Sequence, residues 1–324
     1  MKTPLRYAGG KSKAYNIITE YLPKKEDLPT GRIVSPFIGG GSLESRWSSE
    51  LGIPVEGWDC FETLIVFWNI LLQDPVDLAN RCRYLVPTKE EYKDVKEELM
   101  KWTQTQVMFE GFEDIEYIYD DNGGVIDQIV HKDPLKYYKR KKEDQIDLDH
   151  RNAAAYYYFN HNLSYGPMYL GWMSKIYQNP DKWARMCDRI EQYVNPNLSV
   201  MKGTFQLCFD SIDTNDFLYL DPPYYLDKDK SKDNKMFKGM YPNCNFAIHH
   251  NYFDHDELED RLYNHKGNWI LSYNNCEWVR ETYKDYEQVF PKWHYSYALG
   301  ETRVGKNKVN NDPKESHEIL IIKR

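Results

Sequence analysis

The sequence predicts an α/β fold, in which an open sheet carries helices on both faces and a mostly helical domain is inserted into the chain. Three stretches carry this prediction. A β-branched run at 32–35 leads into three glycines, the run 54–58 ends at Asp59, and the apolar run 217–220 ends at Asp221. Each resembles a short strand with turn or polar residues at its carboxyl end, where open α/β sheets place their ligand sites.

The composition indicates a folded chain in a reducing compartment. The 324 residues are 41% hydrophobic and 28% charged, enough for one large domain or two with a sizeable core. No apolar run long enough for a membrane span and no signal peptide are apparent. Six scattered cysteines without a C-x-x-C pair predict free thiols rather than a zinc site. With a net charge of −8, a nucleic-acid partner would need a local basic patch.

The amino-terminal stretch 3–13 predicts a loop before a helix at 14–21. Gly9 and Gly10 permit a close approach of backbone or a positive φ angle. Lys11 follows directly and is placed to meet a carboxylate or a phosphate. A plain loop remains the alternative reading of this stretch.

The glycine stretch after the first strand predicts a nucleoside site. The residues Pro36-Phe37-Ile38-Gly39-Gly40-Gly41-Ser42 form a strand–turn–helix connection that brings backbone N–H groups to a ligand. They match neither G-x-G-x-x-G nor a P-loop, which favours a small nucleoside over a pyrophosphate. Asp59, at the next strand tip, is placed to hold a ribose hydroxyl pair. It is equally suited to cap the helix predicted at 61–72, and both roles can coexist.

The central region, 73–200, changes character. Helical periodicity recurs at 89–102 and 179–193, with an irregular acidic and then basic stretch between them. The basic run 136–142 contains Lys139 and Arg140 among tyrosines, a pattern that fits either a solvated face or a nucleic-acid contact. An aromatic run then enters a Gly-Pro loop over 160–169. Its residues Asn160, Tyr165 and Tyr169 are candidates for DNA contact, with burial in the core as the alternative.

The Asp221-Pro222-Pro223-Tyr224 loop predicts a site for a flat heterocycle that carries an amino group. Two prolines stiffen the loop. The Asp221 carboxylate and the Pro222 carbonyl offer acceptors for the two amino hydrogens, and Tyr224 offers a ring for stacking. Acceptors on both hydrogens would stabilise the positive charge that develops when such a nitrogen attacks an electrophile. The alternative is an ordinary proline turn.

The remainder of the chain predicts the second half of the sheet. A long polar loop is expected over 225–251, a helix over 252–263 and a strand over 268–275. Further strands are expected at 286–290, 293–299 and 318–322.

Taken in order, these stretches resemble the Dam-like (D12) class of S-adenosylmethionine-dependent DNA adenine-N6 methyltransferases. The resemblance rests on the combination of Tyr-Ala-Gly-Gly-Lys at 7–11, Pro-Phe-Ile-Gly-Gly-Gly-Ser at 36–42 and Asp-Pro-Pro-Tyr at 221–224. It implies a Rossmann-like methyltransferase sheet formed by 1–72 and 201–324, with 73–200 as a helical target-recognition insertion.

The resemblance also implies roles for individual residues. Asp221, Pro222 and Tyr224 would be catalytic. The candidates for binding the S-adenosylmethionine cofactor are Tyr7, Lys11, Pro36, Phe37, Gly39, Gly41, Asp59 and Asp221. The family often carries Asp or Glu directly before the Pro-Phe pair, where this chain has Ser35. The resemblance therefore implies one carboxylate fewer near the ammonium group of the donor.

The expected function is methyl transfer to N6 of a flipped-out adenine in a specific duplex DNA sequence. Cytosine-N4 or RNA adenine methylation, and a catalytically silent DNA-binding protein on the same fold, remain as alternatives. The expected partners are double-stranded DNA and, optionally, a restriction endonuclease, with no metal and no membrane. The expected location is the cytoplasm of a bacterium or of the host cell of a phage or large virus.

Overall fold

A computed structural model describes residues 1–107, 114–119, 125–131, 148–225, 253–292, 308–309 and 316–324. Its ten α-helices within these ranges are α1 (Tyr15–Thr19), α2 (Glu44–Glu50), α3 (Glu62–Gln73), α4 (Pro75–Tyr84), α5 (Lys89–Val107), α6 (His150–Leu163), α7 (Pro180–Glu191), α8 (Phe205–Ser211), α9 (His255–Asn264) and α10 (Glu277–Thr282). The described strands are β1 (Ile33–Ser35), β2 (Val55–Asp59), β3 (Asp114–Tyr119), β4 (Val125–His131), β5 (Leu198–Lys202), β6 (Phe217–Leu220), β7 (Trp269–Asn274), β8 (Glu287–Val289), β9 (Pro291–Lys292), β10 (Lys308–Val309) and β11 (Glu318–Lys323).

Seven strands form one sheet in the order β5–β2–β1–β6–β7–β11–β8. The first five are parallel, and β11 runs antiparallel to both of its neighbours. From β1 the chain builds outward through β2 to β5, and from β6 it builds the other way through β7. The sheet therefore has a topological switch point between β1 and β6, where ligands of open α/β sheets bind.

Helices cover both faces of this sheet, which confirms the predicted α/β fold. Alternate residues of each strand belong to different cores, because successive side chains of a strand point to opposite faces. In β1, Ile33 packs with α1, α2 and α3, whereas Val34 packs with α8, α9 and α10. The antiparallel strand β11 alternates in the same way, with Leu320 in the first core and Ile321 in the second.

The central region adds helices α4 to α7 to the first core. The ring of Phe67 on α3 stacks on Tyr158 of α6 at 5.5 Å, and Tyr158 contacts Trp183 of α7 at 5.7 Å. The stretch predicted to be irregular contains an antiparallel hairpin of β3 and β4, so that prediction was wrong. The many carboxylates of 110–121 masked the short polar–apolar alternation at 114–117, and the second strand, Val-Ile-Asp-Gln-Ile-Val-His, does not alternate.

Several other element predictions changed in detail. Helices α4, α8 and α10 and strand β5 were not predicted, and β5 enters the sheet from Leu198, shortly before the expected end of the insertion. Short elements such as α8 and α10 give few periodic positions, which explains why pattern reading missed them. The predicted strand at 293–299 and the loop after Tyr225 lie outside the described residues.

Candidate active site

A cavity of about 390 Å³ opens at the switch point between β1 and β6. This volume lies within the range of pockets that hold small molecules, about 300–1,000 Å³. Its walls come from the amino-terminal loop, the glycine loop after β1, the tip of β2, the loop after α6 and the loop after β6. The cavity therefore joins the three motifs that are distant in the sequence. Every residue proposed from the sequence for catalysis or cofactor binding lines it, namely Tyr7, Lys11, Pro36, Phe37, Gly39, Gly41, Asp59, Asp221, Pro222 and Tyr224.

The glycine loop packs so tightly that side chains are excluded from it. A Cβ atom on Gly40 would lie 2.4 Å from Cβ of Tyr7, and one on Gly41 would lie 2.6 Å from Cζ2 of Trp68. Gly39 and Gly41 also have positive φ angles, of 46° and 57°. The indole N–H of Trp68, on α3, donates a hydrogen bond to the Gly39 carbonyl at 2.9 Å and so anchors the loop to that helix. The result is a tightly packed stretch of glycine backbone that lines the cavity and is suited to close contact with a ligand.

Asp59 lies at the tip of β2 and faces this loop. Its carboxylate accepts hydrogen bonds from the backbone N–H of Gly39 at 3.1 Å and of Phe61 at 2.9 Å. Burial raises the pKa of Asp59 to about 6, and these backbone donors oppose the rise. The carboxylate is therefore oriented, ionised at neutral pH and left with lone pairs for a hydroxyl donor.

Lys11 and Asp221 form an ion pair at the floor of the cavity. The Lys11 ammonium lies 2.7 and 2.8 Å from the two Asp221 oxygens. Lys11 is 3% exposed and Asp221 is 23% exposed. Burial raises the pKa of Asp221, and the Lys11 cation opposes that shift. The sequence-based expectation that Lys11 meets a carboxylate or phosphate is consistent with this geometry.

Tyr224 extends the same network towards the last strand. Lys11 donates to the Tyr224 hydroxyl at 3.2 Å, and that hydroxyl is 2.7 Å from both oxygens of Glu318. Glu318 lies at the start of β11 and is buried. It was not anticipated from the sequence, because only the antiparallel return of β11 beside β7 brings its first residue to the Asp-Pro-Pro-Tyr loop. The network holds the Tyr224 ring in one orientation.

Stacked rings form the wall beside the amino-terminal loop. His161 of α6 lies between Tyr7 and Tyr157, with ring centroids at 5.4 and 5.2 Å and interplanar angles of 23° and 26°. Burial lowers the pKa of His161 to about 3, so the imidazole is neutral. A neutral aromatic wall is suited to a flat, uncharged ring system.

Glu44 contributes a further carboxylate that the sequence did not single out. It begins α2 directly after the glycine loop, lines the cavity and is 3% exposed. Its Oε1 accepts a hydrogen bond from Ser35 Oγ at 2.9 Å. The available signal was an acidic residue on the inward face of α2, beside the buried Ser45, Trp47 and Ser48.

The residues proposed for DNA contact are placed differently from one another. Tyr165 is 73% exposed, Tyr169 lines the cavity and contacts Phe61, and Asn160 is fully buried. Asn160 instead supports the loop, since its Oδ1 accepts from the backbone N–H of Leu170 at 2.7 Å. Lys139 and Arg140 lie outside the described residues.

Three further properties of the described residues concern metals, membranes and thiols. Among the residues that the structure describes, no group of three or more His, Cys, Asp and Glu is arranged to hold a metal ion. Within the same ranges, no helix combines the length and apolar character needed to cross a bilayer. The described cysteines are all free thiols.

Residues 7–297 match the model of a family described as D12 class N6 adenine-specific DNA methyltransferase. The chain is also similar to the Type II methyltransferase M.MjaIII of Methanocaldococcus jannaschii, with 23% identity over 243 residues, which cover 69% of this chain and 69% of that protein. The matched range includes all three sequence motifs that meet at the cavity.

Proposed function

The chain belongs to the family of D12 class N6 adenine-specific DNA methyltransferases, and we propose that it takes the methyl group from S-adenosylmethionine and transfers it to an adenine rotated out of duplex DNA. One observation carries the finer part of this proposal. The glycine loop, Asp59 and the Asp221 loop all line the same cavity, so a nucleoside donor and an amino-bearing base can meet there.

The residues present fit the donor. Asp59 has an oriented carboxylate for the ribose hydroxyls. The Gly39–Gly41 backbone lines the cavity, and its glycines permit the close packing against Tyr7 and Trp68 that holds it there. Tyr7 lines this half of the cavity and offers an aromatic contact for an adenine, while His161 and Tyr157 support its ring from behind. Pro36, Phe37 and Lys11 complete this half of the cavity. When bound, the donor supplies an electrophilic methyl group on a sulfonium.

Asp221 and Pro222 would hold the target amino group. Each carboxylate oxygen has two lone pairs, so Asp221 can accept an amino hydrogen while it remains paired with Lys11. Burial raises the pKa of Asp221 and the Lys11 ammonium opposes that rise, which favours the anionic form that would stabilise the positive charge developing on N6. Tyr224, held by Glu318, would stack on the base. Base rotation is required because N6 is inaccessible within the duplex.

The loop after α6 is the proposed DNA contact beside the cavity. Tyr165 N–H donates to the Trp172 carbonyl at 2.6 Å, which closes a turn whose two aromatic side chains are 73% and 72% exposed. Between them, Pro167, Met168 and Tyr169 line the cavity. We place the target-recognition function in 73–200, with Lys139 and Arg140 as further proposed contacts and Asn160 acting through the loop.

The relative from M. jannaschii is named a Type II methyltransferase. On that likeness, we extend the proposal to methylation of a defined duplex sequence in company with a restriction endonuclease.

The test is transfer of labelled methyl groups to duplex DNA, followed by digestion to nucleosides and mass spectrometry. We expect N6-methyldeoxyadenosine, and sequencing of modified positions gives the target. N4-methyldeoxycytidine, or transfer to RNA alone, would refute the substrate proposal. DNA binding without donor binding would indicate a catalytically silent protein.

The Asp221→Ala variant tests the catalytic assignment in the same assay. Transfer should fall by a factor of about 100 or more because the acceptor for the amino hydrogen is lost. Asp210→Ala removes a carboxylate that is exposed and paired with Arg261, and serves as the matched control. Substantial activity in the Asp221 variant would rule out the catalytic role.

A further inference from the structure

Glu44 is a buried acid with an unusual set of partners. Side chains of Glu are almost never fully buried unless they are paired. Glu44 is 3% exposed, and its carboxylate accepts from Ser35 Oγ at 2.9 Å and from the Leu43 backbone N–H at 3.2 Å. The backbone N–H of Glu44 itself also donates to this carboxylate. All three donors are neutral. Within the described ranges, no Lys, Arg or His forms an ion pair with Glu44.

The charged groups around Glu44 do not supply the missing cation. Asp221 is an anion that acts electrostatically on Glu44, and the nearby Lys11 ammonium is already shared between the Asp221 oxygens. Tyr193 also faces this region, where its hydroxyl bonds Ser45 at 2.8 Å. The wall of the cavity therefore contains a carboxylate that is not matched by a protein cation.

We infer that Glu44 binds the α-ammonium group of the methyl donor. This inference rests on the proposed function, in which S-adenosylmethionine is that donor. The donor carries two cationic centres, an ammonium and a sulfonium. Only the ammonium has N–H groups, so only the ammonium can donate to the remaining lone pairs of Glu44.

The protonation of Glu44 supports this assignment. Burial raises the pKa of Glu44 to about 7, although the Ser35 and backbone hydrogen bonds oppose the shift. Without a ligand, Glu44 is therefore partly protonated at neutral pH. A cation bound beside it favours the ionised form, and the proton leaves to solvent.

The test measures affinities by calorimetry with three ligands that share the adenosine moiety. S-adenosylhomocysteine has the ammonium and no sulfonium, whereas 5′-methylthioadenosine lacks the whole amino-acid part. Glu44→Gln should lower the affinity for S-adenosylhomocysteine about tenfold or more, as expected for the loss of a hydrogen bond between charged groups. The affinity for 5′-methylthioadenosine should stay within about twofold of the native value. The affinity for S-adenosylmethionine should fall by a similar factor. Glu50→Gln, on the exposed end of the same helix, is the matched control and should change none of these affinities.

A second readout uses the native chain. Near pH 7, binding of S-adenosylhomocysteine, measured in buffers of different ionisation enthalpy, should release up to about half a proton because Glu44 is about half protonated there. Glu44→Gln should lower that release. This readout detects the ionisation of Glu44 even if the variant is less stable. Asp59, Asp221 and Tyr193 are present in both proteins, so the loss of proton release in the variant reports on Glu44 and on the groups that its charge influences.

The outcomes separate the two proposals. If the native chain binds S-adenosylhomocysteine and the variant binds it equally well, this inference is wrong and the donor proposal stands. If the affinity for 5′-methylthioadenosine fell equally, Glu44 would have a merely structural role. If only the affinity for S-adenosylmethionine fell, Glu44 would act on the sulfonium and not on the ammonium. If the native chain bound neither S-adenosylmethionine nor S-adenosylhomocysteine, the donor proposal would fall and this inference with it.

Discussion

At the scale of single residues, the Lys11–Asp221 pair shows how a neighbouring cation opposes the effect of burial on a carboxylate that lines a cavity. Burial alone raises the pKa of Asp221, and the ammonium of Lys11 opposes that shift. Lys11 also reaches the Tyr224 hydroxyl, so one cation orders both polar side chains of the Asp-Pro-Pro-Tyr loop. Loss of Lys11 should therefore affect stability and methyl transfer together.

Lys11→Met should lower the free energy of unfolding by about 1–3 kcal/mol, less than for a fully buried pair because Asp221 is partly exposed. Methyl transfer should fall by a factor of about 100 or more, since the unpaired Asp221 becomes protonated more readily. Urea unfolding and labelled transfer measure the two effects.

Two variants separate these effects of Lys11. Lys24→Met, at an exposed lysine outside the cavity, is the control and should behave as the native chain. The double variant Lys11→Met/Asp221→Asn should recover stability without recovering transfer. If Lys11→Met alone retained full transfer, Lys11 would not be needed to keep Asp221 ionised.

Glu44 should make stability depend on pH. Its pKa is raised from the ordinary 4.5 to about 7 in the folded chain, so between these values the folded state binds more protons than the unfolded state. The stabilisation is therefore fully present below about pH 4.5 and is lost as the pH rises through 7. The loss corresponds to about 3 kcal/mol, at roughly 1.4 kcal/mol for each unit of pKa.

Glu44→Gln removes this pH dependence. Without ligand, the variant should match the native chain near pH 5 and be more stable by up to about 3 kcal/mol at pH 8. Urea unfolding at pH 5, 6, 7 and 8 measures the difference. A difference that does not grow with pH would show that Glu44 is ionised throughout.

At the scale of elements, the β1–α2 connection combines backbone strain with close packing. Gly41 has a φ angle of 57°, and its missing Cβ would lie 2.6 Å from Trp68. Gly31 has a φ angle of 73° with open space around it, so it isolates the backbone contribution. The two glycines provide a matched comparison within one protein.

Gly31→Ala should cost about 1 kcal/mol in unfolding free energy, from the left-handed backbone alone. Gly41→Ala should cost about 2–4 kcal/mol, since overpacking against Trp68 adds to that strain. It should also reduce the affinity for the donor, because Trp68 supports the Gly39 carbonyl. Equal costs at the two positions would mean that the indole moves aside freely.

The turn between Tyr165 and Trp172 is the element that should act on DNA. Tyr165→Ala and Trp172→Ala should each weaken duplex binding about fivefold or more, in line with about 1–3 kcal/mol for an aromatic stack on a base. Tyr263→Ala, at an exposed tyrosine on α9, is the control. Fluorescence anisotropy with a labelled duplex measures binding, and unchanged affinity in both loop variants would exclude this turn from the DNA interface.

At the scale of the whole molecule, helices of the central region share a core with the sheet. The ring sequence Phe67, Tyr158 and Trp183 runs from α3 through α6 to α7 without a gap. Arg6 N–H also donates to Asn162 Oδ1 of α6 at 2.8 Å, which ties the amino-terminal loop to the same helix. Elements that share buried rings are expected to open together.

Native-state hydrogen exchange in increasing urea should show the amides of α6 and β1 merging into one opening reaction. The urea concentration at the midpoint of this opening reaction should rise when the donor is added, because a ligand that binds only the folded chain stabilises it. Earlier opening of α6, well below the midpoint of β1, would show that 73–200 is an independent folding unit.

The sequence alone determined the α/β class, most strands of the sheet and the residues of the three loops that meet at the cavity. These features are local, because strand patterns, glycine turns and a proline-stiffened acidic loop are set by neighbours in the chain. The predicted ranges for β2, β6, β7 and β11 agree closely with the structure. The many carboxylates around 110–121 show the limit of such reading, since they concealed the β3–β4 hairpin.

Only the tertiary structure decided which side chains complete the site. From Ser35, where the family often has an acid, the sequence predicted one carboxylate fewer near the donor. In the structure, the Glu44 carboxylate lies against the Ser35 hydroxyl. Likewise, Glu318 reaches Tyr224 only because β11 returns antiparallel beside β7. Such contacts join residues far apart in the chain or across a turn, and their energies depend on burial and on neighbouring charges. Those quantities exist only once the sheet and its two cores have formed.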